Sequence, residues 1–338
     1  MMAILAMVFY VGCYTDAEHP QGLRAIEVDP VSGEMSLKAS YPVDYPIYLA
    51  KSADGKYLYT TVTRGLAAFS LDNGKVTEIG RCDCGGTPCH LAIMPDGERV
   101  AWADYSSGTA GSVALQGGKF FGEVTVHRHC GCGPNLPRQD KAHCHQVVPT
   151  PDGKGYVVVD LGLDRLVTYP QERAFATYPR GAGPRHMIFH PNGKLAFVAF
   201  ELGNLIASFE WDAKRGFVRM LDQCQTLESW PSGRPYNGDL VAAIRFTPDG
   251  RNLVVSNRGE ESLVVYDYDE NTGSLSFRAR TRLPGSWPRD FLFLDDTLAV
   301  VTMERSGEVH SLRYDAQTGK FAKLSTIGGF FRPVAAVR

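Results

Sequence analysis

Short apolar runs, each bounded by turn residues, succeed one another along the whole chain, and no apolar stripe recurs at helical spacing over a useful length. Leu91–Met94 and Val100–Ala103, for example, flank Pro95-Asp96-Gly97, a pattern that predicts two strands joined by a tight turn. The same turn signal stands at Asp54-Gly55, Asp96-Gly97, Asp152-Gly153, Asn192-Gly193 and Asp249-Gly250, with a degenerate Asp295-Asp296 after them. The glycines are 42, 56, 40 and 57 residues apart. A second series of turns alternates with the first: Ser32-Gly33, Asn73-Gly74, Gly117-Gly118, Gln171–Arg173, Arg215-Gly216, Thr272-Gly273 and Thr318-Gly319.

Seven turns of the second kind against six of the first define the architecture. Each unit is a four-stranded meander, its first turn joining strands one and two and its second joining strands three and four. The chain begins inside a unit, with Met7–Cys13 as a second strand, and ends on Pro333–Val337, a lone first strand. Joined, the two ends complete a seventh unit. Repeats of about 40–50 residues with four strands each predict a β-propeller. The expectation is therefore an all-β, seven-bladed propeller of four-stranded antiparallel blades, residues 1–338 forming one domain, with the ring closed by the N- and C-terminal strands in one shared blade. Closure of this kind also removes two free sheet edges. The two long spacings hold insertions at Val124–Lys141 and Gln223–Gly238. A pair of β-sandwiches is the runner-up, and the regular repeat argues against it.

Composition narrows the partners. The 35 basic and 37 acidic side chains nearly cancel, so there is no electrostatic reason to expect nucleic acid or an anionic membrane surface. Thirty-five glycines and 20 prolines agree with a turn-rich fold. The apolar run Met1–Gly12 lacks the basic start and cleavage site of a signal peptide, and no uncharged stretch reaches the ~20 residues that span a bilayer. A soluble cytoplasmic protein is expected, with its eight cysteines as reduced thiols. The oligomeric state is not encoded in any visible pattern.

Chemistry gathers where strand-one starts meet strand-two ends. In the stretch Gly181–Leu202, Arg185 and His186 open one strand and Glu201 ends the next, so an arginine, a histidine and a carboxylate come to the same end of one hairpin. In a propeller all such ends converge on one mouth of the central channel. Asn257-Arg258, Arg289-Asp290, Met303-Glu304, Asp160-Leu161 and the segment His143-Cys144-His145 belong to that same mouth. A dense titratable cluster in a cleft marks a candidate site. Polar residues also knit neighbouring blades together, and Asp160 and Asp164-Arg165 are candidates for that purely structural use.

The segments Tyr10–Thr15, Gly133-Pro134-Asn135, Arg138-Gln139, His143–Val147, Asp160-Leu161-Gly162, Gly183–His186 with Phe189-His190-Pro191, Glu201-Leu202, Ser256–Gly259 and Pro288–Phe291 carry a resemblance. In order and over almost the full length, the chain resembles the seven-bladed propeller lactonases of the 6-phosphogluconolactonase type, with the related carboxy-muconate cyclases. The resemblance implies a site made of one histidine from the His143–His145 segment, Arg185, Glu201 and Arg258. Two departures flank the mouth: Lys141 stands where a proline usually precedes the Ala-His segment, and Met303-Glu304 replaces an Asn-Gln pair.

Lactone hydrolysis requires an activated water, a stabilised oxyanion and a proton returned to the leaving alcohol. Glu201, His143 or His145 is the candidate general base. Arg185 or Arg258 is the candidate for the oxyanion or for an anionic group of the substrate. His186, Asn257 and Arg289 complete the candidate substrate-binding set. No G-x-S-x-G nucleophile elbow is present, which favours direct attack by water. The C-x-C pairs Cys82/Cys84 and Cys130/Cys132, with Cys89, His90 and the His143–His145 segment, could supply metal ligands, but the spacing is not that of common zinc sites. No metal and no cofactor are expected. Three functions remain open: a hydrolase of a small, anionic sugar lactone, a lactonising muconate-type cyclase, and a non-catalytic binding propeller.

Overall fold

The computed structural model describes residues 6–72, 74–228 and 238–338. Among them, seven four-stranded antiparallel sheets form the blades of a ring. Counting blades in chain order, the first pairs Pro333–Val337, Met7–Cys13, Leu23–Val28 and Met35–Tyr41 from the channel outward. The fourth starts with Cys144–Pro149, the fifth with Pro184–Phe189 and Leu195–Phe200, the sixth with Leu240–Phe246 and Asn252–Arg258, and the seventh with Pro288–Phe293 and Leu298–Met303. The shared blade and the strand-one and strand-two order match the sequence reading. Of the proposed turn Asn73-Gly74, Asn73 lies outside the described residues, as do positions 229–237 of the second insertion.

The recurring turn has a local cause. Gly55, Gly97, Gly153, Gly193 and Gly250 all adopt φ between +66° and +74°, a region open to glycine at little steric cost. The preceding acid closes the turn: hydroxyls of Ser52, Thr150 and Thr247 donate to Asp54, Asp152 and Asp249 at 2.6, 2.7 and 2.6 Å. Each of those carboxylates also accepts the backbone N–H two residues on. The chain therefore reverses at a fixed place in each repeat, which sets where the first strand stops and the second begins.

The apolar core lies between blades. Phe9, Ile26 and Val28 of the first blade pack with Leu298, Val300 and Val309 of the seventh. Burying each such side chain contributes about 1.5–3 kcal/mol relative to exposure. Gly12 is required at the other flank of the first blade, because a Cβ there would lie 1.9 Å from the Pro46 carbonyl oxygen. All eight cysteines are free of disulfides.

Closure rests on a short ladder in which Tyr10, Val11 and Gly12 face Val337, Ala336 and Ala335. Asp290 of the seventh blade adds a buried bond from the Ala336 N–H at 3.1 Å. Removing residues 333–338 should expose the inner edge of the first blade and lower the melting temperature by on the order of 5 °C or more. A truncated protein that melts with the full-length chain would show that the ring does not depend on this pairing.

Candidate active site

Three inner strands carry the same irregularity at the channel mouth. Pro184 faces Phe200 and His186 faces Ala199, which leaves Arg185 as an extra residue. In the same way Cys144 and Gln146 face Asp160 and Val159, leaving His145, and Pro288 and Asp290 face Met303 and Thr302, leaving Arg289. A β-bulge of this kind turns one side chain out of the alternating pattern. Glu201 and Glu304 each follow directly on the second strand of their hairpins, and their N–H groups bond back to Gly183 and Trp287 at 2.8 and 3.0 Å. Each of these two blades thus pairs a bulge arginine with the glutamate across the hairpin.

Glu201 is the centre of the first pair. Its Oε2 accepts from Arg185 Nε at 2.9 Å and from Arg258 Nη2 at 2.7 Å, and its Oε1 accepts from Arg138 Nη2 at 2.5 Å. Arg185 and Arg258 are 3% and 4% exposed in their side chains. Further bonds to carbonyls hold them: Arg185 Nη1 to Ala242 at 2.8 Å, and Arg258 Nη2 to Val241 at 2.7 Å. Burial alone would raise the Glu201 carboxyl, but Arg258, Arg185 and Arg138 outweigh it and hold the group well below the usual carboxylate range. Burial, then the mutual charge of Arg258, presses the Arg185 guanidinium down, and Glu201 opposes that. The carboxylate is ionised at neutral pH and both its oxygens are engaged.

Above this cluster opens a cavity of about 920 Å³. Its walls carry five arginines (138, 258, 289, 305 and 332) against the carboxylates of Asp104, Glu201 and Glu304. The excess of cations gives the cavity wall a net electrostatic attraction for anions. Aromatic rings brace the guanidiniums: Arg305 lies 3.3 Å from the Trp287 ring centre, and Arg332 4.1 Å from that of Tyr14.

The histidines separate by depth. His145 lines the cavity, and its buried Nδ1 has no partner. His186 sits deeper in the channel, its ring 5.4 Å from His145 and 5.5 Å from His90. Burial first, then the Arg185 charge, keeps all three well below the ordinary histidine value, so they are neutral at pH 7. His143 points elsewhere: it stacks on Tyr105 at 4.1 Å, with Nδ1 on the Tyr105 carbonyl at 2.9 Å and Nε2 on Asp140 at 3.0 Å. Asn257 is fully buried, and its amide donates to the Thr226 carbonyl at 2.8 Å and to Ser262 at 3.1 Å. The structure therefore brings Glu201, Arg185, Arg258, His145 and Arg289 together and places His143, His186 and Asn257 off the cavity wall.

Asp160 and Asp164 are inter-segment ties. Asp160 accepts the N–H groups of His143 and Leu163 at 2.9 and 3.1 Å, and Asp164 accepts those of Gly181 and Gly183 at 2.7 and 2.9 Å. Arg165, beside them, is exposed. Among the described residues one group brings three metal-capable side chains within 4.8 Å: His129, Cys144 and Asp160. His129 already uses both nitrogens, on Asp160 at 2.6 Å and Tyr169 at 3.0 Å, and burial, then Asp160, pushes the Cys144 thiol up. These donors are committed to one another.

The candidate catalytic and binding set left out Arg138 and Arg305, and also Glu304, Arg332 and Trp287, which strand order alone brings to the mouth. Arg138 arrives from the insertion between the third and fourth blades, so no repeat position announces it. Glu304 was visible, because Pro288-Arg289 and Met303-Glu304 occupy the same places in their hairpin as Pro184-Arg185 and Phe200-Glu201.

A seven-bladed propeller with a buried, arginine-clamped glutamate under an anion-attracting cavity defines the class. The family described as lactonase, 7-bladed beta-propeller, matches residues 8–333. The chain is 32% identical over 332 residues to 6-phosphogluconolactonase of Bacillus subtilis (strain 168), 93% of each chain being covered. Among solved structures, the periplasmic gluconolactonase of Pseudomonas aeruginosa superposes with a TM-score of 0.88 at 25% identity, over 98% of this chain and 99% of that one. A protein from Lactobacillus plantarum gives 0.87 at 29% identity, with the same coverage. The chain belongs to the seven-bladed propeller lactonase family and is a hydrolase that acts on a lactone.

Two outcomes follow from the electrostatics. Glu201→Gln leaves Arg185 and Arg258 buried beside each other without a counter-charge, and should destabilise the fold by about 3–5 kcal/mol in denaturant titration. A loss below about 1 kcal/mol would mean that the guanidiniums relax to solvent. For His90, His145 and His186 the folded pKa lies below the unfolded one. Their contribution is intact above about pH 6.5 and is lost as pH falls below it, by up to about 1.4 kcal/mol per pH unit for each histidine. The Glu201 contribution is lost only below about pH 4.5. Stability measured from pH 7 to 5 should fall, and a flat profile would contradict neutral burial of these rings.

Proposed function

We propose that the protein hydrolyses a sugar lactone bearing an anionic substituent, a phosphorylated aldonolactone like the substrate that names its Bacillus subtilis relative. The observation that carries this reading is the cavity wall, with its five arginines against three carboxylates. His145 is the general base. Its ring is neutral, lines the cavity and has no hydrogen bond to protein on either nitrogen among the described residues. As His145 takes a proton from water, the oxygen attacks the lactone carbonyl carbon. The tetrahedral oxyanion forms beside Arg258, whose Nη1 is left unengaged by Leu240, Val241 and Glu201. The ring C–O bond then breaks, and the proton passes from His145 to the departing alkoxide.

Glu201 suits a different task from the base role. Both oxygens of the Glu201 carboxylate are engaged by guanidinium donors, whereas the His145 ring has a nitrogen without a protein partner. Glu201 fixes Arg258 and Arg138 in place, and so acts as a positioning residue. We place the enzyme in the cytoplasm, a reading supported by its eight unbridged thiols.

The test assays purified protein against phosphorylated aldonolactones, their plain counterparts and carboxylated muconates, with each rate corrected for spontaneous ring opening. The phosphorylated lactone should be turned over best, and His145→Gln should lower kcat by about 10²–10⁴ with little change in KM. Turnover of a muconate with no lactone hydrolysed would replace this reading with a lactonising cyclase. Full activity in His145→Gln would return the base role to Glu201 or His143.

A further inference from the structure

The second arginine–glutamate hairpin is built like the first but is left open. Glu201 is saturated by three guanidiniums, two of them shut away from solvent. Glu304 is equally buried, yet its partners face the cavity: Arg289 is 20% exposed and Arg332 48%. Arg289 Nη1 reaches Glu304 Oε2 at 3.0 Å, and Arg332 Nε reaches Oε1 at 3.1 Å, with Arg332 Nη2 on the same oxygen. That leaves Arg289 Nη2 and Arg332 Nη1 without a protein hydrogen bond among the described residues. The Tyr14 ring, 4.1 Å from one guanidinium and 5.7 Å from the other, fixes both. Arg305 adds a third cation on the same rim.

We propose that Arg289 and Arg332 form the subsite for the substrate's anionic group, and that Glu304 is the internal counter-ion that limits how strongly the enzyme prefers a charged lactone over a neutral one. The inference rests on the lactonase reading above and names the specificity determinant of that site. Burial alone would raise the Glu304 carboxyl, but Arg289 and Arg332 hold it below the usual range, so it is charged at neutral pH. A phosphate approaching the two free NH2 groups is attracted by two guanidiniums and repelled by this carboxylate just behind them. The carboxylate also keeps the two forks apart and oriented when no substrate is bound. Selection is a difference between two affinities, and a fixed like charge lowers the affinity of the anion alone.

The experiment measures kcat/KM for a phosphorylated aldonolactone and for its unphosphorylated parent in wild type, Glu304→Gln and Arg332→Gln. It also measures competition by inorganic phosphate. Glu304→Gln keeps the hydrogen-bonding shape and removes the charge, so the ratio of phosphorylated to plain kcat/KM should rise about tenfold or more, through KM, and phosphate should inhibit at correspondingly lower concentration. Arg332→Gln should move the ratio about tenfold the other way. Should Glu304→Gln fail to fold, the half-exposed Arg332 position decides alone. A wild type that hydrolyses both lactones, with a ratio unmoved by the variants that fold, overturns the subsite. If wild type hydrolyses neither, the substrate reading fails, and calorimetric binding of inorganic phosphate to the three proteins still decides: affinities that do not differ overturn the subsite as well.

Discussion

Two guanidinium groups, Arg185 and Arg258, lie in the channel mouth with almost no access to water, and they are tolerable there because Glu201 sits between them. Among the described residues Glu201 is the one acid that hydrogen-bonds either of them; their other bonds go to backbone carbonyls, and Glu304 adds only a more distant attraction for Arg258. The carboxylate in turn stays ionised only because the arginines surround it. The three groups come from the fifth and sixth blades, and Arg138 from the loop that enters the fourth. The cluster therefore fixes how these blades face each other, and an error in their packing would strand a buried charge. The reactive part of the cavity stands on this block: Arg258 presents its remaining nitrogen, and neutral His145 borders the same space.

The fold serves the site through one repeated irregularity. A regular inner strand would alternate its side chains between the two faces of its blade, both packed against neighbours. The bulges at His145, Arg185 and Arg289 turn those side chains toward the channel mouth instead. The closing blade contributes as well as sealing the ring. Tyr14 follows Met7–Cys13 directly and Arg332 precedes Pro333–Val337, so the pairing of the two chain ends also assembles the Tyr14–Arg332 contact. Ring closure and the outer half of the cavity are one event.

The architecture was legible in the chain because its causes are local. An Asp-Gly or Asn-Gly turn requires a positive φ where glycine stands, apolar runs of fixed length follow, and a mismatch of one between two turn series locates the shared blade. The meeting of Arg185 with Glu201 was legible for the same reason, since both belong to one hairpin and its register brings them together. What failed to show was whatever depends on a neighbour far along the chain. Arg138 reaches Glu201 across 63 positions, from an insertion that obeys no repeat. Strand pattern alone could not tell His143 from His145, because the bulge decides which of them faces the cavity. Asn257 reads like its neighbour Arg258, yet alternation turns it into the contact with Thr226. The protonation balance is likewise tertiary: Glu201 reads as a base in the sequence, and three guanidiniums brought together by the ring make it a fixed anion. Sequence by itself determined the strands, their turns, the seven blades and the hairpin that carries the charge pair, because these are written in short-range backbone preferences. Only the closed ring decided which side chains share a cavity and in what charge state, because burial and Coulomb interactions act across blades that the chain order keeps apart.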